Sequence, residues 1–378
     1  MDLEYYSSYL EVDLGILRSN AEKIMSAIKP RNFIPVVKGN SHGNGTVPVA
    51  SMLIEDLGIN LIANAQIIES KKIRDAGYKD TELMLLSAVP YHALPYVVEY
   101  NLIAPVFDKK TAKLLSDAVS LSGKKYQDIQ IKIETGLHRL GVNPQKDLNG
   151  LIAYIRSLKN LRIVGVYSHF GNAYEFDDEF TINQYKLFED AVWQVRGLGI
   201  DPKYVHICCS GGSMWVKDTI STHARLGCMF TGFSGLDDGR NPFGVETAAS
   251  WRAFITNICH LKPGERVGYG YSCVADKEMT TATVSVGVCD GFFKPLASSK
   301  APLLVNGKYA RYLSVCMDQM FIDVTGIDCQ IGDEVTIFGK DRLGNNITTE
   351  YISKFVDHSP TSLTGYLNDR VKRIYINR

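Results

Sequence analysis

The chain has 378 residues, and Lys+Arg and Asp+Glu both number 41, so its formal net charge is zero. That balance excludes a basic nucleic-acid binder and gives no reason for an anionic-membrane partner. With 45% hydrophobic and 22% charged residues the composition is that of a soluble globular protein with a sizeable core, and the length suits two domains. No apolar run is long enough to span a membrane, and the segment from Met1 to Tyr6 lacks the basic start and apolar stretch of a signal peptide, so a cytoplasmic protein is expected. The eight cysteines (Cys208, Cys209, Cys228, Cys259, Cys273, Cys289, Cys316 and Cys329) form no CxxC pair and no zinc-like spacing with His. They are expected to be mostly buried free thiols, not a disulfide framework or a metal site.

In chain order, the first predicted strand is Phe33–Gly39, an apolar β-branched run that ends in Lys38. The loop that follows, Gly39-Asn-Ser-His-Gly-Asn-Gly45, is rich in turn residues. Further strands are predicted at Asn60–Ala65, Glu82–Ser87, Leu102–Asp108, Asp128–Glu134, Ile163–His169, Tyr204–Ser210 and Thr222–Cys228. Helical periodicity falls between them, clearest over Lys109–Leu121 and Thr181–Leu198. Strands alternating with helices imply a parallel sheet, and eight of them a closed (β/α)8 barrel. The texture changes near Asp237-Asp-Gly-Arg-Asn-Pro-Phe-Gly244. Beyond it, strands predicted at Thr280–Val288, Tyr312–Asp323 and Asp333–Phe338 alternate with turn signals, which indicates a mainly antiparallel β domain. A short helix over Thr349–Val356 and a closing strand over Tyr366–Asn377 complete the prediction. The expected domains are 1–240, the barrel, and 241–378, the β domain.

Barrel active sites lie at the C-terminal mouth of the strands. A lysine held there is partly desolvated, its pKa falls, and its amine becomes a nucleophile for a carbonyl. Pyridoxal phosphate is the commonest partner for such a lysine. Other predicted strands also end in polar residues. Lys132 and Arg139 follow the fifth, His169 the sixth, Ser210 the seventh and Arg225 the eighth. One such residue is weak evidence, but their joint placement at successive strand ends defines a candidate site.

Together these segments resemble the alanine racemase family over nearly the whole chain. The matching stretches are Lys38 to Gly45, Glu134 to Gly141, Ser168 to Phe170, Arg225 to Gly227, Pro263 to Gly270, Val286 to Gly291, Cys316 to Gln319 and Arg370 to Arg373. The resemblance implies a pyridoxal-phosphate amino-acid racemase and a homodimer whose β domain contributes to the partner's active site. Lys38 would hold the cofactor as a Schiff base and act as one of two catalytic bases. Ser210 and the amides near Gly227 and Cys228 would hold the phosphate. Arg225 would face the pyridine nitrogen and, as a donor only, keep it unprotonated. His169 would bridge Arg225 and the catalytic site. Arg139 would contact the cofactor's phenolic oxygen beside the substrate, and Lys132 matches a lysine that is carbamylated in many members. Met317 would reach the substrate carboxylate from the partner.

Four positions depart from the family pattern, one of them Cys209, which stands before Ser210 where the family has an asparagine. The second base, a tyrosine in the family, is Cys273 here, and a thiol is chemically able to take that role. Tyr271, two residues earlier, is the alternative. The loop residue at the cofactor phosphate is His42, and Asp369 stands where the family places a tyrosine that governs substrate access. These changes put alanine specificity in question. The competing expectations are a pyridoxal-phosphate decarboxylase, which would place a carboxylate at the ring nitrogen, and a non-catalytic cofactor-binding protein.

Overall fold

The computed structural model describes every residue except Met1, Asp2, Glu4, Asp237 and Ser272, and it leaves out the side chain of Tyr271. Tyr271 as an alternative base therefore lies outside the described residues. β1 (Ser8–Asp13) precedes eight strands that match the eight barrel predictions in order. They are β2 (Asn32–Pro35), β3 (Leu61–Asn64), β4 (Glu82–Leu85), β5 (Leu102–Val106), β6 (Gln127–Lys132), β7 (Leu161–Tyr167), β8 (Tyr204–His206) and β9 (His223–Leu226). β3 to β8 form one parallel sheet in sequence order, and β2 pairs in parallel with β9. A bridge from Val36 to Ala63 joins β2 to β3, and bonds from Thr222 to Val205 and from Arg225 to Cys208 join β9 to β8, which closes the barrel.

Strand residues alternate between two environments, as the period of two requires. Ile34, Val36, Leu61, Ala63, Met84, Ile103 and Tyr204 pack together inside the barrel. Phe33, Ile62, Leu83 and Leu85 belong to the larger core shared with the helices. The predicted helices are present as Lys109–Ser122 and Glu179–Gly197. Asp108 and Asp178 cap them by accepting from the backbone N–H of Thr111 and Thr181, each at 2.7 Å.

The β domain is built on the long strand Ala249–Leu261. Two edges of the chain meet there. β1 pairs antiparallel with Ala249–Leu261 and in parallel with Lys372–Ile376, so the first strand belongs to the C-terminal sheet and not to the barrel. Three details differ from the sequence prediction. Tyr312–Asp323 is two antiparallel strands, Lys308–Val315 and Met320–Asp323, because Cys316 N–H bonds to Gln319 O at 2.7 Å and turns the chain. Residues 360–365 form a short helix with Pro360 in its first turn, and the closing strand is confined to Lys372–Ile376.

Candidate active site

The register of the barrel strands brings the candidate residues to one level. Lys132 on β6 stands opposite Tyr167 on β7, and Tyr167 opposite His206 on β8. Ile34 on β2 stands opposite Arg225 on β9, so Lys38 and the Gly227–Cys228 turn leave neighbouring strands at the same rim. These ends enclose a cavity of about 320 Å³. Lys38, His42, Arg139, His169, Ser210, Arg225, Gly227 and Cys228 all line it. Lys38 is exposed, so the desolvation expected for it is not supplied by its own chain.

After Lys38 the chain makes a left-handed turn. Gly39, Asn40, Ser41 and His42 have φ of 61, 55, 53 and 52°. Such a run is unfavourable for L-residues, and glycine and asparagine tolerate it best. It is held from outside. Glu69 accepts from Gly39 N–H at 2.5 Å with one oxygen, and from Ala65 and Gln66 N–H at 3.0 Å with the other. Arg373 donates to Gly43 O at 3.1 Å. Neither Glu69 nor this role of Arg373 was foreseen from sequence.

Arg225 is buried and organises the floor. Its Nη1 donates to His206 Nδ1 at 2.5 Å and His206 O at 3.0 Å. Its Nη2 donates to Ser168 O at 2.8 Å, His169 Nδ1 at 3.1 Å and Ile207 O at 3.1 Å. Both histidines are held well below the usual imidazole range, first by burial and then by the Arg225 charge. They are therefore neutral, accepting through Nδ1 with the proton on Nε2. The ring of Tyr167 stacks on His206 at 5.2 Å and lies near the Arg225 guanidinium and the Lys132 ammonium position, at 5.7 and 5.1 Å. His206 and Tyr167 belong to the site although sequence reasoning did not assign them. A histidine inside the otherwise apolar run Tyr204–Cys208 was the available signal.

Lys132 is almost fully buried and donates to Ile133 O at 3.0 Å and Ser168 Oγ at 3.2 Å. Burial, then the neighbouring Arg225 charge, lowers its pKa to about 7. Burial, then Lys38, lowers that of His42 to about 4, so this imidazole is neutral. His42 packs against Gly227, where a Cβ would meet its Cε1 at 2.8 Å.

Three assigned residues stand elsewhere in the chain. Cys273, on the strand pair Arg266–Val267 and Cys273–Val274, lines a separate surface concavity with Tyr269 and Arg311. Met317 is 60% exposed in the turn between Lys308–Val315 and Met320–Asp323. Asp369 is exposed and does not line the cavity.

The cavity fits pyridoxal phosphate. At one end, the backbone N–H groups of Gly227 and Cys228 have no protein acceptor among the described residues, and Ser210 is beside them. Nδ1 of His42 is buried without a partner. At the other end, both terminal nitrogens of Arg225 are engaged, and among the described residues Nε has no protein acceptor, which leaves a donor suited to a ring nitrogen. Lys38 lies on the same wall. Barrel, β domain and cavity together define a pyridoxal-phosphate enzyme acting on amino acids.

Residues 12–235 match the alanine racemase N-terminal domain family, and residues 248–375 the alanine racemase C-terminal domain family. Alanine racemase 1 of Clostridium acetobutylicum is 30% identical over 371 residues, 97% of this chain and 95% of that protein. The alanine racemase of Clostridium perfringens is 29% identical over 378 residues, 99% and 97% of the two chains. The crystal structure of alanine racemase from Streptomyces lavendulae superposes with a TM-score of 0.91 at 26% identity, covering 99% of this chain and 98% of that one. The Bacillus anthracis enzyme with bound L-Ala-P also gives 0.91, at 26% identity and 99% and 96% coverage. The chain belongs to the alanine racemase family. It is accordingly a pyridoxal-phosphate-dependent amino-acid racemase.

Proposed function

We propose that the enzyme interconverts L- and D-amino acids by moving a Cα proton between two bases, Lys38 of one protomer and the partner subunit's Cys273, in a homodimer with shared active sites. In this reading residues 1–240 hold the cofactor and residues 241–378 serve the partner's site. The observation that carries it is Arg225, fixed by five in-chain hydrogen bonds, in the same cavity as Lys38. Pyridoxal phosphate, when bound, supplies the electron sink that makes Cα–H acidic. Arg225 can only donate and has no atom to accept from a protonated nitrogen, so it keeps the ring nitrogen unprotonated and the sink weak. A weak sink favours direct return of the proton to Cα. His169, neutral on Arg225, stands between that network and the reacting carbon. Ser210, Gly227, Cys228 and His42 would hold the phosphate, and Arg139 would stand beside the phenolic oxygen and the substrate. In one direction Lys38 Nζ takes the proton and the Cys273 thiol gives one to the opposite face. In the other the roles exchange, and after each turnover Lys38 gives its proton to solvent and the Cys273 thiolate takes one back, so charge and protons balance.

Cys273, Met317 and Asp369 lie on the β domain away from this protomer's cavity, which is the arrangement a site completed in trans requires. Met317 would face the substrate carboxylate, and Asp369 would select among substrates at the access route. The free cysteines fit a reducing cytoplasmic setting. Lys132, with an amine neutral above about pH 7, is chemically ready for carbamylation. Among the described residues no carboxylate lines the cavity, which weighs against the decarboxylase reading.

The test is incubation of the cofactor-loaded protein with a panel of L-amino acids in D2O, following chirality and Cα deuterium together. Appearance of the D-isomer carrying solvent deuterium is the expected result and names the substrate. Release of the amine without its carboxylate would replace racemization with decarboxylation.

A further inference from the structure

The phosphate end of the cavity contains one group that no motif predicted. Tyr174 lies on the loop between β7 and the helix Glu179–Gly197 and lines the cavity. Its hydroxyl is 3.0 Å from Cys228 Sγ, and that thiol is 3.4 Å from Ser210 Oγ. Tyrosine hydroxyl, thiol and serine hydroxyl thus form a chain beside the unpaired amides of Gly227 and Cys228. The placement is built. Gly235 has no Cβ, and one there would meet Tyr174 Cε1 at 2.3 Å. Gly211 likewise admits the backbone of Ala173 and Tyr174, with 2.7 Å from its would-be Cβ to Ala173 O. Trp215 Nε1 donates to that same Ala173 O at 2.9 Å and fixes the loop. So two glycines and a tryptophan serve the position of one phenol.

The partners of that phenol are the Cys228 thiol and the Ser210 hydroxyl, and sulfur is a weak acceptor. Burial, and then the neighbouring Cys228, raises its pKa, so it is a protonated donor throughout the working range. Its nearest polar side chains are the Cys228 thiol and the Ser210 hydroxyl. The Ser210 hydroxyl carries no charge, and His42 is kept neutral by burial. A dianionic phosphate here is met by neutral donors, and each donor counts for more in such a setting.

We infer that Tyr174 donates a hydrogen bond to the phosphate of the cofactor and is a principal determinant of cofactor affinity in this enzyme. The inference rests on the cofactor assignment above. Its position beside Cys228 and Ser210 puts it at the phosphate end, away from Arg225 and His169, so it is a binding residue and not a base.

The test compares wild-type and Tyr174→Phe apoproteins, each titrated with pyridoxal phosphate and, separately, with pyridoxal. The readout is the absorbance of the lysine-bound aldehyde, with the 31P shift of the bound phosphate as a second signal. Phenylalanine keeps the ring against Gly235 and removes only the donor. Loss of one hydrogen bond to a charged group should weaken pyridoxal phosphate by ~10- to 100-fold. Pyridoxal affinity should stay unchanged, and the 31P resonance should move. Equal affinity of both proteins for pyridoxal phosphate would overturn the inference. So would an equal loss for both ligands, which would mark a packing defect. A wild-type protein that takes up neither aldehyde would instead overturn the cofactor assignment itself.

Discussion

The barrel mouth and the β domain treat their functional residues in opposite ways. At the barrel mouth the charged groups are finished by their own chain. Arg225, Lys132, His169 and His206 are buried or nearly so and fixed by hydrogen bonds, and burial beside the Arg225 charge keeps both histidines neutral and lowers the pKa of the Lys132 amine to about 7. On the β domain, Cys273, Met317 and Asp369 stand at or near the surface, away from the cavity. A preorganised cradle costs little further ordering when a cofactor arrives. Groups left at a surface gain their function only when another surface brings them to the reacting atoms. The difference teaches where a substitution will act: at the barrel mouth on cofactor and chemistry within one chain, on the β domain, if the site is shared as proposed, through the partner.

The largest effect should come from Lys38→Ala, which on the proposed mechanism removes both the covalent anchor and one base. Turnover should fall by at least ~10³-fold, and the absorbance of lysine-bound cofactor should vanish. Cys273→Ala should lower kcat by ~10²-fold or more while that absorbance is retained, because the thiol plays no part in holding the cofactor. The two variants together decide whether the site is shared. Mixed and reassembled, Lys38→Ala and Cys273→Ala chains should regain about a quarter of wild-type activity, since half of randomly paired dimers carry one intact site of two. No regain on mixing, with reassembly shown by a tagged chain, would place both bases in one protomer or remove Cys273 from the chemistry.

A smaller effect is expected at Lys132. Its pKa of about 7 is lowered from the usual amine value, so protonation is complete only below about 7 and the free amine dominates above it. Carbamate forms from the free amine. A 13C carbamate signal from labelled bicarbonate should therefore grow as pH rises through about 7, and Lys132→Ala should lack it. That variant should also lose roughly tenfold in kcat through disordered positioning groups. A carbamate signal absent from wild type through pH 8 would contradict the lowered amine.

Much of this molecule was legible in the sequence, and the parts that were not have physical causes. Strands buried on both faces are continuous apolar runs, so β2 to β9 stood out one after another. The ends of those runs gave Lys38, Lys132, His169, Ser210 and Arg225. His206 and Tyr167 were hidden because they sit within runs whose other residues are apolar. Tyr174 was hidden because a loop position has no periodicity to mark it. β1 was missed because its partners, Ala249–Leu261 and Lys372–Ile376, are more than two hundred residues away, and local pattern carries no such pairing. The turn at Cys316–Gln319 was read through because its flanks are both strand-like.

The smallest effect concerns the link between the two regions. Arg373, next to the parallel pairing of β1 with Lys372–Ile376, donates to Gly43 O in the lysine loop at 3.1 Å. It also donates to Leu367 O, Val371 O and Asn368 O. A single guanidinium thus ties the left-handed turn after Lys38 to the segment that carries Asp369. Arg373→Ala leaves four carbonyls short of a donor, and the expected loss of stability is about 2 kcal/mol. Because Glu69 still holds Gly39 from the other side, kcat should change only a few-fold, with the larger change in the rate of cofactor loss. Arg373→Lys can restore one or two of these bonds but not the fork, so its stability should fall between those of alanine and wild type in urea unfolding. If the lysine variant unfolds with the alanine variant while cofactor release is unchanged in both, Arg373 serves the C-terminal segment alone and the lysine loop is held by Glu69.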